Sequence, residues 1–255
     1  MRGMEADRLI NPAKVFLSWS GSRGQLEYYD KETKENVPVK LPFRFLVLDE
    51  VARVGGYVEE QDGRKRSYYS NAIYPKYAKT ADFTVHSSHK EGKNHQIEMT
   101  GKWADIKGHV VGAKWVKGLY VAYYGEDDEL LLGYIELGGS GQQGWRECLD
   151  SASVRNAEVG AFALTKSVDR KKGINTYKAP VFAYKAIVPE KVEAEAENIA
   201  KTVLYPYLQK YFAKEVVAAH GDAYEAPGDG YEGSLFTGDP SDEDVPAPTN
   251  EEIPW

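Results

Sequence analysis

From Lys14 to Val188 short runs of apolar, strand-forming residues are separated by polar and glycine-containing turn signals at intervals near ten residues. Residues 1–13 read as a lead-in. Val15 to Trp19 and Leu26 to Tyr29 then form two short strands around the turn Gly21-Ser22-Arg23-Gly24, followed by a charged loop from Asp30 to Asn36. Phe43 to Leu48 is the most apolar stretch and runs on through Val51, Val54 and Tyr57, which predicts a long central strand bent at Gly55-Gly56. Gln61-Asp62-Gly63 is a hairpin signal, and a strand over Arg64 to Ser70 follows it. Phe83 to His86 and Gln96 to Met99 flank a polar loop. His109 to Tyr124 and Leu130 to Leu137 face each other across the charged turn Glu126-Asp127-Asp128-Glu129. Gly138 to Gly141 reads as a flexible loop and Trp145 to Ser151 as a short helix. Ala157 to Val168 and Tyr177 to Val188 form a last hairpin.

Pro189 opens the one long helical pattern. Proline at the first turn, with Glu190 and Glu193 behind it, suits the positive end of a helix dipole, and Val192, Ala196, Ile199 and Val203 keep one face apolar. Pro206 should kink or restart the helix. The chain therefore divides into a β domain (1–188), an appended helix (189–218) and a tail (219–255). A mainly β fold with many short strands suits a small barrel with insertions, and a β-sandwich is the alternative. The helix packs on the β domain or pairs with a second subunit as a homodimer.

Charge separates the tail from the rest. Ten of the 39 acidic residues but none of the 32 lysines and arginines lie in 219–255, so residues 1–218, with 29 acidic residues, carry +3. The tail is rich in glycine and proline and has few aliphatic side chains, which predicts a solvated, mobile segment. With that composition it reaches about 30–35 Å. Its end departs from this: Ile253, Pro254 and Trp255 follow Glu251-Glu252, an apolar tip beside acidic charge. A mildly basic body with an acidic tail fits a protein that binds a polyanion and carries a competitor for its own site. The single Cys148 excludes an intramolecular disulfide and, with no signal peptide in Met1 to Pro12, points to the cytoplasm. No run of about 18 apolar residues predicts a membrane span.

Basic residues interleaved with aromatic ones are the candidate binding chemistry. Arg64, Lys65 and Arg66 precede Tyr68 and Tyr69, and Tyr74, Lys76, Tyr77 and Lys79 continue the set. Trp103 with Lys107, then Trp115 with Lys117, form a second and a third. Arg170, Lys171 and Lys172 with Tyr177 form a fourth. A single nucleic-acid strand offers phosphates to lysine and arginine and bare base faces to aromatic rings, and stacking tolerates any base. Each ring alone has packing as its commoner role. His86, His89 and His95 lack a fourth ligand for a structural zinc, so no metal is expected. The turn Glu126 to Glu129 reads as exposed acid rather than a nuclease centre. The glycine-rich stretch at 138–144 lacks the Lys-Ser or Lys-Thr of a phosphate loop. No catalytic constellation and no cofactor motif emerges, and an enzyme is not expected.

The tail carries a family likeness. Glu251-Glu252-Ile253-Pro254-Trp255, with Asp242-Glu243-Asp244-Val245-Pro246 as an upstream echo, resembles the C-terminal tip of bacterial and phage single-stranded DNA-binding proteins. That tip usually ends in phenylalanine, and Trp255 stands in its place. The resemblance implies an oligonucleotide-binding barrel (OB-fold) that coats single-stranded DNA in phage DNA replication and recombination, in a host cell's cytoplasm. It also implies that Asp242, Glu243, Asp244, Glu251, Glu252, Ile253, Pro254 and Trp255 recruit replication or recombination proteins. The alternative is a β-rich virion or assembly protein whose tail docks a partner.

Overall fold

A computed structural model of the chain describes residues 9–89, 92–125, 127–151, 161–185 and 188–218. The tail expectation, with Asp242 to Asp244 and Glu251 to Trp255, lies outside the described residues. The fold is mainly β with a helical C-terminal segment. Its spine is β4 (Phe43–Glu59), the long strand predicted from the apolar stretch that runs on through Val51, Val54 and Tyr57. One edge of β4 pairs antiparallel with β8 (Ala113–Tyr124) from Leu46 to Gly56, with a bulge between Val47 and Asp49. The other edge is shared. β10 (Ala161–Lys172) takes Phe43 to Leu46, Ile73 bridges Ala52, and β5 (Lys65–Ser70) takes Gly55 to Glu59. Near its far end, where it pairs with both β8 and β5, Gly56 adopts a φ of +124°. A Cβ there would sit 2.3 Å from the Gly112 carbonyl oxygen, so only glycine fits.

From β4 the sheet extends both ways. Beyond β8 come β9 (Leu130–Gly138), then β1 (Val15–Ser20) in parallel pairing, β2 (Gln25–Asp30) and β3 (Glu35–Pro38). Beyond β5 come β6 (Phe83–His89) and β7 (Gly92–Gly101). β11 (Asn175–Lys185) hangs on β10 alone. Among the described residues the ends β3 and β7 do not pair, so the sheet is open and the barrel closure expected from the strand pattern is not formed. The space between β9 and β11 is filled by a helix, α2 (Gly139–Asp150), rather than by another strand ladder.

Helix α2 corrects the sequence reading, which placed a loop over its first residues. Glycine disfavours helix in isolation, but here it allows close approach. A Cβ on Gly141 would lie 3.0 Å from Trp19, and one on Gly144 would lie 2.3 Å from the Pro180 carbonyl oxygen. The helix thus seats Trp145 in the first core, 4.6 Å from the Phe162 ring and 5.2 Å from that of Phe182, centroid to centroid. Leu17, Leu26, Phe45, Leu119 and Ile135 complete this core.

A second core lies under the far half of β4. It joins Val54, Tyr68, Phe83 and Val85 to α1 (Trp103–His109), which buries Ile106 and packs Trp103 on Trp115. The strand expected from His109 therefore begins at Ala113. Trp103, Ile106 and Val110 keep helical spacing, but over only two turns. On the sheet's opposite face, Leu46, Val51, Tyr120 and Leu132 are covered by α3 (Glu190–Ile199) and α4 (Tyr205–Ala218). The expected restart at Pro206 takes the form of a π-helical turn, Ala200–Leu204. Proline cannot donate to the preceding turn, and the wider turn lets the helix run on. Among the described residues no helix is long and apolar enough to cross a membrane.

Candidate nucleic-acid interface

Tyr68, Trp103 and Trp115, from three of the four basic–aromatic sets, meet in the second core, and the fourth set lies on the β10–β11 hairpin against α2. Within the first set, strand alternation divides the residues. Tyr68 faces inward and is a core residue. Tyr69 turns to the other face, where its ring lies 5.3 Å from that of His86 at 13°, a parallel stack. Tyr74 packs on Phe212 of α4 at 4.3 Å, so it fastens the C-terminal helix to the β domain. Burial pushes the hydroxyls of all three tyrosines above their ordinary range. Trp103 and Trp115 are half-buried, meet edge-to-face at 5.7 Å and line the second core.

Carboxylates hold several of the cations. Arg64 donates its backbone N–H to Asp62 Oδ1 at 3.0 Å and its Nε–H to Oδ2 at 2.6 Å within the hairpin turn, and these bonds, the backbone one first, lower the Asp62 carboxyl. Arg66 bridges Glu60 and Glu98, and Ser87 also donates to Glu98. Lys117 donates to Glu50 at 2.8 Å. Arg170 makes a two-pronged pair with Glu147 of α2, and Tyr177 donates to Gln143 one turn earlier at 3.2 Å. These groups reinforce the fold, and their charge is largely answered by neighbours.

Six of the candidate cations have no carboxylate partner among the described residues: Lys65, Lys76, Lys79, Lys107, Lys171 and Lys172. Two of them lie over aromatic faces. Lys65 Nζ sits 5.1 Å from the Tyr57 ring centroid, and Lys76 Nζ sits 4.8 Å from that of Tyr77. Tyr77 ends a short 3-10 turn, Pro75–Tyr77, and is 52% exposed. Ala78 anchors that turn in the second core, and Lys102 at the start of α1 donates to the Thr80 carbonyl at 2.9 Å. The loop bearing Lys76, Tyr77 and Lys79 is thus docked beside the helix bearing Lys107. Sequence reading passed over Tyr57. Its signal was available: it follows Gly55-Gly56 near the end of β4, opposite Ser67 in the ladder.

Other candidates resolve simply. His86 is buried in its stack with Tyr69, and the side chains of His89 and His95 lie outside the described set. Among the described residues no three histidine, cysteine or carboxylate groups converge. Asp127, Asp128 and Glu129 are exposed on their turn, with Asp128 at a φ of 55°. No family model matches this chain, and neither does any curated protein or solved structure.

Proposed function

We propose that this chain binds single-stranded DNA without reading its sequence and delivers the bound strand to other proteins of DNA replication or recombination. The observation that carries the reading is the set of uncompensated lysines, Lys65, Lys76, Lys79 and Lys107, around one core with two tyrosine rings among them. Lysines of this kind release counterions from phosphates, and an accessible ring such as Tyr77 offers a stacking platform to any base. Tyr57 beside Lys65 would serve as a second.

Strand order is compatible with an opened form of an oligonucleotide-binding barrel. Such a barrel has five strands, is partly open, and binds its ligand on the second and third strands. Here β4, β5 and β6–β7 form an antiparallel meander, α1 follows, and β8 and β9 return to the other edge of β4. In that frame β5 and β6–β7 are the ligand-binding strands, with Lys65 on the first. The acidic tail fits the same reading as a competitor for the lysines and a tether for partners.

The deciding measurement is fluorescence anisotropy of labelled oligo-dT at two salt concentrations, with duplex DNA of equal length as control. Tighter binding to the single strand, weakening steeply with salt, is expected. No binding to oligo-dT at low salt would leave the lysines as an ordinary solvated surface and favour the assembly-protein alternative.

A further inference from the structure

The β10–β11 hairpin has a feature that strand coating does not require. Its two strands stay paired to the last residue before the turn, Lys172 opposite Asn175, and a two-residue turn, Gly173-Ile174, joins them. Gly173 has a φ of +57°, the left-handed conformation that such a turn asks of its first residue. The second residue is isoleucine, 100% exposed at the apex. A solubility-minded turn would carry asparagine or serine there.

The hairpin is braced below that apex. Arg170 and Tyr177, a cross-strand pair, both reach α2, through Glu147 and Gln143. One step further down, Lys178 and Asp169 pair across the strands at 2.7 Å. The Lys178 backbone N–H donates to the Gly21 carbonyl at 2.9 Å, and its carbonyl accepts from Trp19 Nε1 and Ser140 Oγ. A Cβ on Gly24 would lie 2.2 Å from the Lys178 side chain, so the β1–β2 turn is pressed against it. Beyond this collar, no side-chain hydrogen bond or ion pair among the described residues holds Lys171, Lys172, Asn175 or Thr176. The result is a stiff two-stranded arm with an apolar point and two uncompensated lysines beside it.

An apolar side chain presented on a rigid element and flanked by cations suits insertion between base pairs. Proteins that open or kink DNA use isoleucine, leucine, phenylalanine or methionine in this way. We infer that the hairpin tip is a junction-recognition site: Ile174 wedges against the first base pair where single strand meets duplex, while Lys171 and Lys172 hold the flanking phosphates. The inference rests on the single-strand reading above and extends it from coating a strand to engaging its boundary. No covalent step is involved.

The test uses the full chain and a forked duplex carrying 2-aminopurine in the pair next to the fork, whose fluorescence rises when that base unstacks. Oligo-dT affinity is measured in parallel. The native protein should raise the fork signal. Ile174→Ala should lose most of that rise, about fivefold, while its oligo-dT affinity stays within about twofold. Lys171→Ala with Lys172→Ala should weaken fork binding more than oligo-dT binding. An unchanged rise with Ile174→Ala, beside normal oligo-dT binding, overturns the wedge and leaves the single-strand reading standing. Equal loss on fork and oligo-dT makes Ile174 an ordinary base contact and also overturns it. Failure of the native protein to bind oligo-dT removes both.

Discussion

The indole N–H of Trp145 donates to Glu50 at 3.2 Å, from the middle of α2 to the middle of β4. The other carboxylate oxygen of Glu50 accepts from Lys117 on β8 at 2.8 Å, so one side chain ties three elements at the edge of the first core. Removing it leaves an indole N–H and an ammonium group without their acceptor. Glu50→Ala should therefore cost about 1–3 kcal/mol in unfolding free energy. Glu50→Gln keeps an acceptor for the indole and should cost less. Urea unfolding followed by tryptophan fluorescence measures both, and equal stability of all three proteins would show that the tie contributes nothing.

The same glycine-to-alanine change should have opposite signs at two helices. In α2, a methyl group on Gly144 would meet the Pro180 carbonyl oxygen at 2.3 Å, and backbone on neither side can yield cheaply. Gly144→Ala should destabilise by about 1–3 kcal/mol, the usual cost of overpacking. In α1, nothing lies within 4 Å of a Cβ on Gly108. Gly108→Ala should stabilise by about 0.5–1 kcal/mol through helix propensity alone. Thermal melts of the pair check the geometry of α2 directly.

These glycines mark where the sequence could be read and where it could not. β4 was legible because a long apolar run with a Gly-Gly break has few other outcomes. The helix at 190–218 was legible from its proline start and apolar stripe. Helix α2 was not, because its first turns are glycines whose value lies in contacts with Trp19 and Pro180, more than 35 residues away in either direction. Barrel closure was not legible either, since strand pattern says nothing of which edges meet. At the candidate interface, residue types were readable but charge compensation was not. Nothing local to Arg170 announces Glu147, and nothing beside Lys117 announces Glu50.

Cys148 lies in the first core, where burial raises its thiol from an ordinary 9.0 to about 12. At pH 8 its thiolate fraction should be about a thousandfold below that of a free cysteine. Iodoacetamide should label the native protein at least a hundredfold more slowly than the protein in urea. The same shift has a sign for stability. The unfolded thiol ionises first, so its contribution is intact below pH 9 and is lost as pH rises from there towards 12, by about 1.4 kcal/mol per unit. Cys148→Ala should flatten that part of the alkaline unfolding curve.

Tyr77 and Tyr68 separate the proposed interface from the core. Tyr77 is half in solvent beside Lys76, whereas Tyr68 is 8% exposed in the second core. Tyr77→Ala should leave the unfolding midpoint nearly unchanged and cost about 1–3 kcal/mol in oligo-dT binding. Tyr68→Ala should do the reverse, with a loss of about 3–5 kcal/mol in stability. Replacing Lys76, Lys79 and Lys107 by alanine should reduce the salt slope of binding by about 2, at about 0.7 per phosphate contact on a single strand. An unaltered slope would place the strand elsewhere on the molecule.

The chain carries charge against itself. Residues 1–218 hold +3 and residues 219–255 hold ten carboxylates with no cation. If the lysines around the second core bind phosphates, they must also attract those carboxylates, since both are anions. The attraction is screened over about 10 Å at 0.1 M salt and over about 30 Å at 0.01 M. Deleting residues 239–255 removes six side-chain carboxylates together with Ile253, Pro254 and Trp255. The truncated protein should bind oligo-dT more tightly than the full chain at low salt, and the difference should shrink as salt rises. A tail that serves only to dock partners would leave affinity equal at every salt concentration, and one that itself contacts DNA would make truncation weaken binding. Isothermal titration with both proteins at three ionic strengths separates these cases, because only self-competition gives a gain that salt abolishes.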